Sequence, residues 1–160
     1  MEKVNDKKES QHLVFGKRNF VGLREGTLSN LYEIQEPLGK GGFGQVYNVR
    51  SRTTKEVRAC KFILKKDVKN DVKFGREIEI LKNADHPNIV KLFEVLQDER
   101  HYYIVTEKCK GGDLSNRVIQ KVQQKNSKYG EEDIKRVFLQ VMLAINYCHC
   151  NNICHRDIKL

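Results

Sequence analysis

The sequence predicts an α+β fold in which a small antiparallel sheet comes before a mostly helical region. Short runs rich in Val, Ile, Tyr and Phe recur between residues 31 and 106, and such runs are typical of strands. Glycine-rich or polar stretches separate the runs and suit hairpin turns. After residue 130, apolar residues recur at the spacing of an amphipathic helix.

The first three strands are predicted to be antiparallel neighbours. They cover residues 31–38, 45–50 and 56–64, and a glycine cluster and a polar turn connect them. Residues 1–30 come before them and are polar, with three glycines and little periodicity. We therefore expect these 30 residues to form a leader that is mostly extended or mobile.

A helix and two more strands complete the predicted sheet. Residues 69–83 carry Phe74 and Ile78 at helical spacing, with charged residues between them, which indicates an amphipathic helix. Strands follow over residues 89–97 and 101–106, joined by a polar turn, so the sheet has about five strands.

The rest of the chain is predicted to be helical. The periodicity is weak over residues 114–125 and strong over residues 131–149. The second of these helices carries one apolar stripe, formed by Ile134, Val137, Phe138, Val141, Met142 and Ile145.

The composition is that of an ordinary globular protein of one domain, or of a fragment of one. The chain has 160 residues, of which 39% are hydrophobic. No apolar run approaches the roughly 18 residues of a membrane helix, and residues 1–10 do not resemble a secretory signal. The five cysteines are an odd count in such a chain, so we expect reduced thiols and a cytoplasmic or nuclear location.

The positive charge does not form a basic tail. There are 30 Lys and Arg residues against 21 Asp and Glu, which gives a net charge of +9 spread along the chain. Such a balance suits a solvated surface or contact with polyanions, including nucleotide phosphates. No basic stripe with stacking aromatics is present, so nucleic acid is not an expected partner.

A glycine motif, G-x-G-x-x-G, spans residues 39–44. A Rossmann interpretation fails because a strand follows the glycines and position 61 is Lys61, not an acid. A P-loop interpretation fails because the loop does not end in Gly-Lys-Ser/Thr. What remains is a glycine-rich hairpin, whose backbone N–H groups can approach phosphate oxygens closely.

Lys61 is the candidate phosphate-binding residue. Ala59 and Lys61 lie two apart in a predicted strand and so share one face. Glu77, on the following helix, is a candidate to hold the ammonium in an ion pair that aims it at a phosphate. The alternative is that Lys61 is an ordinary surface lysine, since exposed charged pairs are common.

Together these residues resemble the small lobe of a eukaryotic protein kinase. Three later segments agree: residues 86–92, the hinge-like stretch 103–114, and His155-Arg156-Asp157 after a helix. The resemblance covers residues 31–160 and is greatest to calcium/calmodulin-dependent and calcium-dependent serine/threonine kinases. It implies three regions. Residues 1–30 would be a leader, and residues 31–107 a five-stranded small lobe with one helix. Residues 108–160 would be a hinge and the start of a truncated large lobe.

The resemblance also implies roles for individual residues. Asp157 would orient the substrate hydroxyl and accept its proton, and Lys159, of the serine/threonine pattern, would neutralise the transferring phosphoryl group. Lys61, held by Glu77, would contact the ATP phosphates. The implied ATP-binding residues are Leu38, Gly39, Gly41, Gly42, Phe43, Gly44, Val46, Ala59, Lys61, Thr106, Glu107, Cys109 and Asp113.

The chain departs from the family pattern in three ways. Arg58 stands where the strand motif often has Val, and Leu160 stands where Pro usually follows the catalytic-loop lysine. The catalytic-loop Asn and the Asp-Phe-Gly segment are missing, so the ligands of the expected Mg²⁺ lie beyond residue 160 and no metal site is expected. The cluster from Cys148 to His155 fits no closed zinc pattern.

Two functions follow as expectations. The first is an ATP-dependent serine/threonine protein kinase acting on protein hydroxyls, with the 160 residues by themselves catalytically incomplete. The second is an inactive kinase-like fragment that binds nucleotide or docks onto a partner. We expect that partner to cover the apolar face of helix 131–149, which large-lobe helices would normally bury.

Overall fold

The computed structural model describes residues 23–41, 44–123 and 130–159. Gly42 and Phe43 of the predicted nucleotide site, like residues 1–22 of the leader, lie outside this part of the chain. The strands are β1 Leu23–Glu25, β2 Tyr32–Gly41, β3 Gly44–Ser51, β4 Val57–Leu64, β5 Leu92–Gln97 and β6 His101–Thr106. The α-helices are α1 Leu28–Leu31, α2 Asp71–Asn83, α3 Leu114–Gln123 and α4 Glu131–Cys150, and a 3₁₀ turn covers Lys65–Asp67.

The strands form one sheet in the order β1-β5-β6-β4-β3-β2. Its five antiparallel strands, β2 to β6, confirm the predicted sheet. The sixth strand, β1, pairs in parallel with β5 and was not predicted, because three residues are too few to show an alternating pattern. No helix in the described ranges is both long and apolar enough to cross a membrane.

Most predicted boundaries hold to within two residues, but β5 begins three residues late. The prediction placed its start at residue 89, whereas the ladder begins at Leu92. The residues before it turn instead, with the Ile89 amide donating to the His86 carbonyl at 3.1 Å. The first residues of the predicted strand 89–97 therefore belong to a turn.

Each face of the sheet has its own hydrophobic core, because successive side chains of a strand point to opposite faces. One core packs α2 against the sheet through Ile63, Ile78, Val95, Tyr102 and Ile104. The other lies on the opposite face and consists of Leu28, Tyr32, Val49, Cys60, Leu96, Tyr103 and Val105.

Residues 23–30, which the sequence analysis counted in the leader, cover this second core. Leu28 is 2% exposed, and the Arg52 guanidinium donates to the Ser29 carbonyl at 2.8 Å. The Tyr32 hydroxyl donates to the Glu94 carboxylate and accepts from Arg58 at 2.8 Å. The end of the leader is therefore packed against the sheet.

Arg58 departs from the family pattern for a reason that the structure makes plain. Its guanidinium lies 3.8 Å above the ring of Phe93 and forms a salt bridge with Glu56 at 3.2 Å. It also donates to Tyr32. An arginine at this position thus fastens Tyr32, the first residue of β2, to β4.

We expect Leu28→Ala to lower the free energy of unfolding by about 2–4 kcal/mol, since deleting a buried leucine side chain leaves a cavity. Leu31→Ala is the matched control, because Leu31 is 37% exposed on the same short helix, and it should cost less than about 1 kcal/mol. Urea unfolding followed by circular dichroism measures both. Equal losses for the two variants would contradict the packing of this segment into the core.

Candidate functional site

The sheet register brings four predicted nucleotide-binding side chains to one face. Val46 lies opposite Lys61, and Ala59 lies opposite Thr106. Side chains directly opposite each other share a face, and so do residues two apart in one strand. Val46, Ala59, Lys61 and Thr106 therefore stand together on the face that also packs against α2, as the strand spacing predicts.

The glycine-rich hairpin lies between β2 and β3. Its ladder runs from Gly39 opposite Val46 to Gly41 opposite Gly44. Gly44 has a φ of 146°, and a Cβ there would lie 2.0 Å from the carbonyl oxygen of Phe62. Only glycine fits at this position, because the hairpin lies directly against the backbone of β4. At Gly39, by contrast, a Cβ would meet nothing within 4 Å.

Lys61 and Glu77 come from the two elements that the sequence assigns to them. Lys61 is half-buried on β4, and Glu77 is exposed on α2, next to the buried Ile78. The helix that carries Glu77 is capped by Asn70, whose side chain accepts from the Lys73 amide at 2.9 Å. The ion pair between Lys61 and Glu77 stays a prediction.

The hinge is fastened to the segment before β5. The Glu107 amide donates to the Lys91 carbonyl at 2.9 Å, and the Lys91 amide donates to the Glu107 carboxylate at 2.9 Å. Because its only backbone N–H is engaged, Glu107 can serve a ligand through its carbonyl oxygen. Cys109, two residues further, is exposed.

Asp113 has a structural task that the sequence analysis missed. Its two carboxylate oxygens accept from the backbone and side-chain nitrogens of Asn116, each at 2.7 Å, at the start of α3. Asp is among the preferred residues at a helix N-terminus, which was the available signal. A ribose hydroxyl bound to Asp113 would compete with these bonds.

Asp157 and Lys159 lie side by side after α4. The Lys159 ammonium is 3.0 Å from the Asp157 carboxylate, and both side chains are exposed. The Asp157 amide donates to the His155 ring at 3.2 Å, and Arg156 between them has a φ of 61°. An exposed ion pair adds little stability, so its relevance is that it places an acid and a cation together.

Tyr147 links α4 to the loop that follows α2. Its hydroxyl accepts from the Asp85 amide at 3.0 Å, and its ring lies 5.2 Å from that of His86. Tyr147 and Asp85 are 62 positions apart, so no local pattern predicts the contact. It connects the helix before Asp157 with the helix that carries Glu77.

A buried polar residue shares the face of Ala59 and Lys61. Asn48 lies opposite Ala59 and is 1% exposed. Its Nδ2 donates to the Glu36 carboxylate at 2.5 Å, whereas its Oδ1 has no hydrogen-bond partner in the described part of the chain. An unpaired buried acceptor costs about 1–3 kcal/mol, and the sequence analysis did not single this residue out.

The described ranges contain no group of three His, Cys, Asp or Glu side chains that could hold a metal ion. The 160 residues also lack the Asp-Phe-Gly segment that supplies a magnesium ligand in the resembled family. By the pattern of that family, the magnesium ligand of this segment is not among the residues present.

The fold and this arrangement define the small lobe of a protein kinase followed by the start of the large lobe. The sequence profile described as "Protein kinase domain" matches residues 32–160, so the chain belongs to this family. The resemblance stated from the sequence is confirmed.

Among curated proteins, the chain is similar to calcium-dependent kinases. It is 39% identical over 153 residues to "Calcium-dependent protein kinase 3" of Plasmodium yoelii yoelii, covering 95% of this chain and 28% of that protein. It is 41% identical over 143 residues to "Calcium-dependent protein kinase 5" of Plasmodium falciparum (isolate 3D7), covering 89% and 24%. "CBL-interacting protein kinase 11" of Oryza sativa subsp. japonica is 38% identical over 138 residues, covering 82% and 26%. The chain thus spans about a quarter of the length of these relatives.

Cys60 and Cys109 have very different surroundings, and we expect their rates of alkylation to differ accordingly. Burial, and then the nearby charge of Glu94, raise the pKa of the Cys60 thiol to about 12. Cys109 is exposed. At pH 8 the Cys60 thiolate should be about a thousandfold rarer than that of a thiol of pKa 9, and alkylation requires the thiolate.

Peptide-resolved mass spectrometry after iodoacetamide treatment measures the two rates. Cys109 should be modified first in the folded protein, and both cysteines at similar rates in urea. Modification of Cys60 as fast as Cys109 without denaturant would contradict its burial.

Proposed function

We propose that this chain is the nucleotide-binding part of a serine/threonine protein kinase that acts in the cytoplasm or nucleus. The observation that carries the proposal is the common face of Val46, Ala59, Lys61 and Thr106, next to a hairpin that requires glycine at Gly44. Membership of the kinase family supports it independently.

ATP is the proposed nucleotide. Its adenine would lie against Val46 and Ala59 and meet the carbonyl oxygen of Glu107, while its phosphates would lie under the glycine-rich hairpin. The half-buried Lys61 would contact the phosphates, because an ammonium that is partly desolvated attracts an anion more strongly than one in water.

The proposed reaction moves the γ-phosphoryl group of ATP to a Ser or Thr hydroxyl of a protein. The bond to the ADP oxygen breaks as the bond to the hydroxyl oxygen forms, and Asp157 accepts the hydroxyl proton. Lys159, 3.0 Å from Asp157, would neutralise the phosphoryl charge. Because the 160 residues lack magnesium ligands, we expect them to bind nucleotide without transferring phosphate by themselves.

A second candidate function is docking by a catalytically inactive kinase-like chain. The observation in its favour is the apolar surface of α4, on which Phe138 is 64% exposed and Ile134 and Leu139 are exposed as well. A surface of this kind is typical of an interaction site. We propose that a partner covers this face of helix 131–149.

Substitution of Lys61 tests nucleotide binding. We expect Lys61→Met to weaken MgATP binding by about 10- to 100-fold, because a charged contact to the phosphates is lost. Lys66→Met is the matched control, since Lys66 is exposed on the 3₁₀ turn after β4, and it should bind as the unaltered protein does. Isothermal calorimetry measures both affinities. Equal affinities for the two variants would contradict the role of Lys61.

Phosphate transfer is tested with radiolabelled ATP and a Ser-containing peptide mixture. The 160-residue chain should show no transfer above its Asp157→Asn variant. A product of the same gene that carries an Asp-Phe-Gly segment should transfer label, and Asp157→Asn should slow it by at least about 100-fold. Transfer by the 160 residues alone would contradict their incompleteness, and no transfer by the longer product would favour the docking function.

A further inference from the structure

The ladder between β2 and β3 is irregular just before the glycine-rich hairpin. Ile34 lies opposite Val49, but the next pairs are Pro37 with Tyr47 and Gly39 with Val46, so β2 contains two extra residues. Each register shift interrupts the regular hydrogen bonds of an antiparallel pair. Pro37, between the two shifts, has no N–H to donate.

A side-chain hydrogen bond crosses the two strands within this interrupted stretch. Asn48, between Tyr47 and Val49 on β3, donates through Nδ2 to the carboxylate of Glu36 on β2 at 2.5 Å. Glu36 is the residue immediately before Pro37 and lies within the first shift in the pairing, between Ile34 and Pro37. The bond therefore joins the strands where their backbones pair least well.

The two partners are held very differently. Asn48 is 1% exposed, lies opposite Ala59 in the middle of the sheet, and is fixed by its surroundings. Glu36 is exposed on the outermost strand. Between Ile34 and Gly39, where the backbone pairing is irregular, this bond joins an exposed carboxylate on β2 to a buried amide on β3.

We propose that Asn48 and Glu36 are positioning residues, whose hydrogen bond holds the base of the glycine-rich hairpin in register and so prolongs the stay of a nucleotide beneath it. The first half of this proposal, the register of the hairpin, concerns the hairpin alone. The second half, the longer stay of the nucleotide, rests on the proposed function.

A purely structural role can be told apart from a positioning role, because the buried Oδ1 of Asn48 has no hydrogen-bond partner among the residues that the structure describes. Replacing Asn48 by Leu keeps a side chain of similar size and removes the buried acceptor. The Glu36 carboxylate then stays in contact with water. That change should not lower overall stability. If the bond positions the hairpin, Asn48→Leu should loosen the hairpin while the protein remains as stable as before.

Hydrogen exchange followed by NMR tests the first half. We expect Glu36→Ala and Asn48→Leu to speed amide exchange about 5- to 10-fold in residues 39–41 and 44–46, relative to β4 and β6. Glu36→Gln keeps an oxygen that accepts from Asn48 and should stay within about twofold of the unaltered protein. The melting temperature of Asn48→Leu should not fall.

Stopped-flow dissociation of a fluorescent ATP analogue tests the second half. Glu36→Ala and Asn48→Leu should release it about 5- to 10-fold faster, and Glu36→Gln at the original rate. Unchanged exchange, or exchange that rises equally throughout the sheet, would overturn the proposal. Faster exchange with unchanged release would overturn its second half. If the unaltered protein binds no analogue, the proposed function fails, and the exchange rates still decide the role of the bond.

Discussion

The alternation of side chains along β4 is the constraint on which both faces of the sheet depend. Arg58 and Cys60 point to the face covered by α1, whereas Ala59 and Lys61 point to the face that packs against α2. A slip of one residue would turn the Lys61 ammonium into the core that holds Cys60 and turn Cys60 to the opposite face. Pairing with β3 on one side and β6 on the other prevents this slip.

The elements that sequence analysis predicts well are those in which the pattern of apolar residues is long. The ladder strand β4 and the helices α2 and α4 run for 8, 13 and 20 residues, so several repeats of the period are visible. The strand β1 has 3 residues and α1 has 4, which is too short for any period. The strand β1 is held by its pairing with β5 and α1 by the packing of Leu28 into the core, and propensity alone cannot predict either.

The candidate site likewise has features that the sequence predicts and contacts that it does not. Spacing within one strand was enough to place Ala59 and Lys61 on one face, and the glycine motif was enough to mark Gly44. The contacts that support the site join residues far apart in the chain, as Tyr147 joins Asp85 and as Tyr32 joins Glu94. Such pairs depend on how elements pack together, and one sequence without structure does not contain that information.

The contacts that attach the sheet to the helices after it are weaker than the pairing within the sheet. The hinge is fastened by two bonds between Glu107 and Lys91. The Tyr147 hydroxyl bonds to the Asp85 amide at 3.0 Å and to the carbonyl of Asn83, the last residue of α2, at 3.4 Å, in contacts that are open to water. Each such bond contributes only about 1 kcal/mol, which is small beside the many ladder bonds within the sheet. Contacts of this strength can break and form again without disturbing either core.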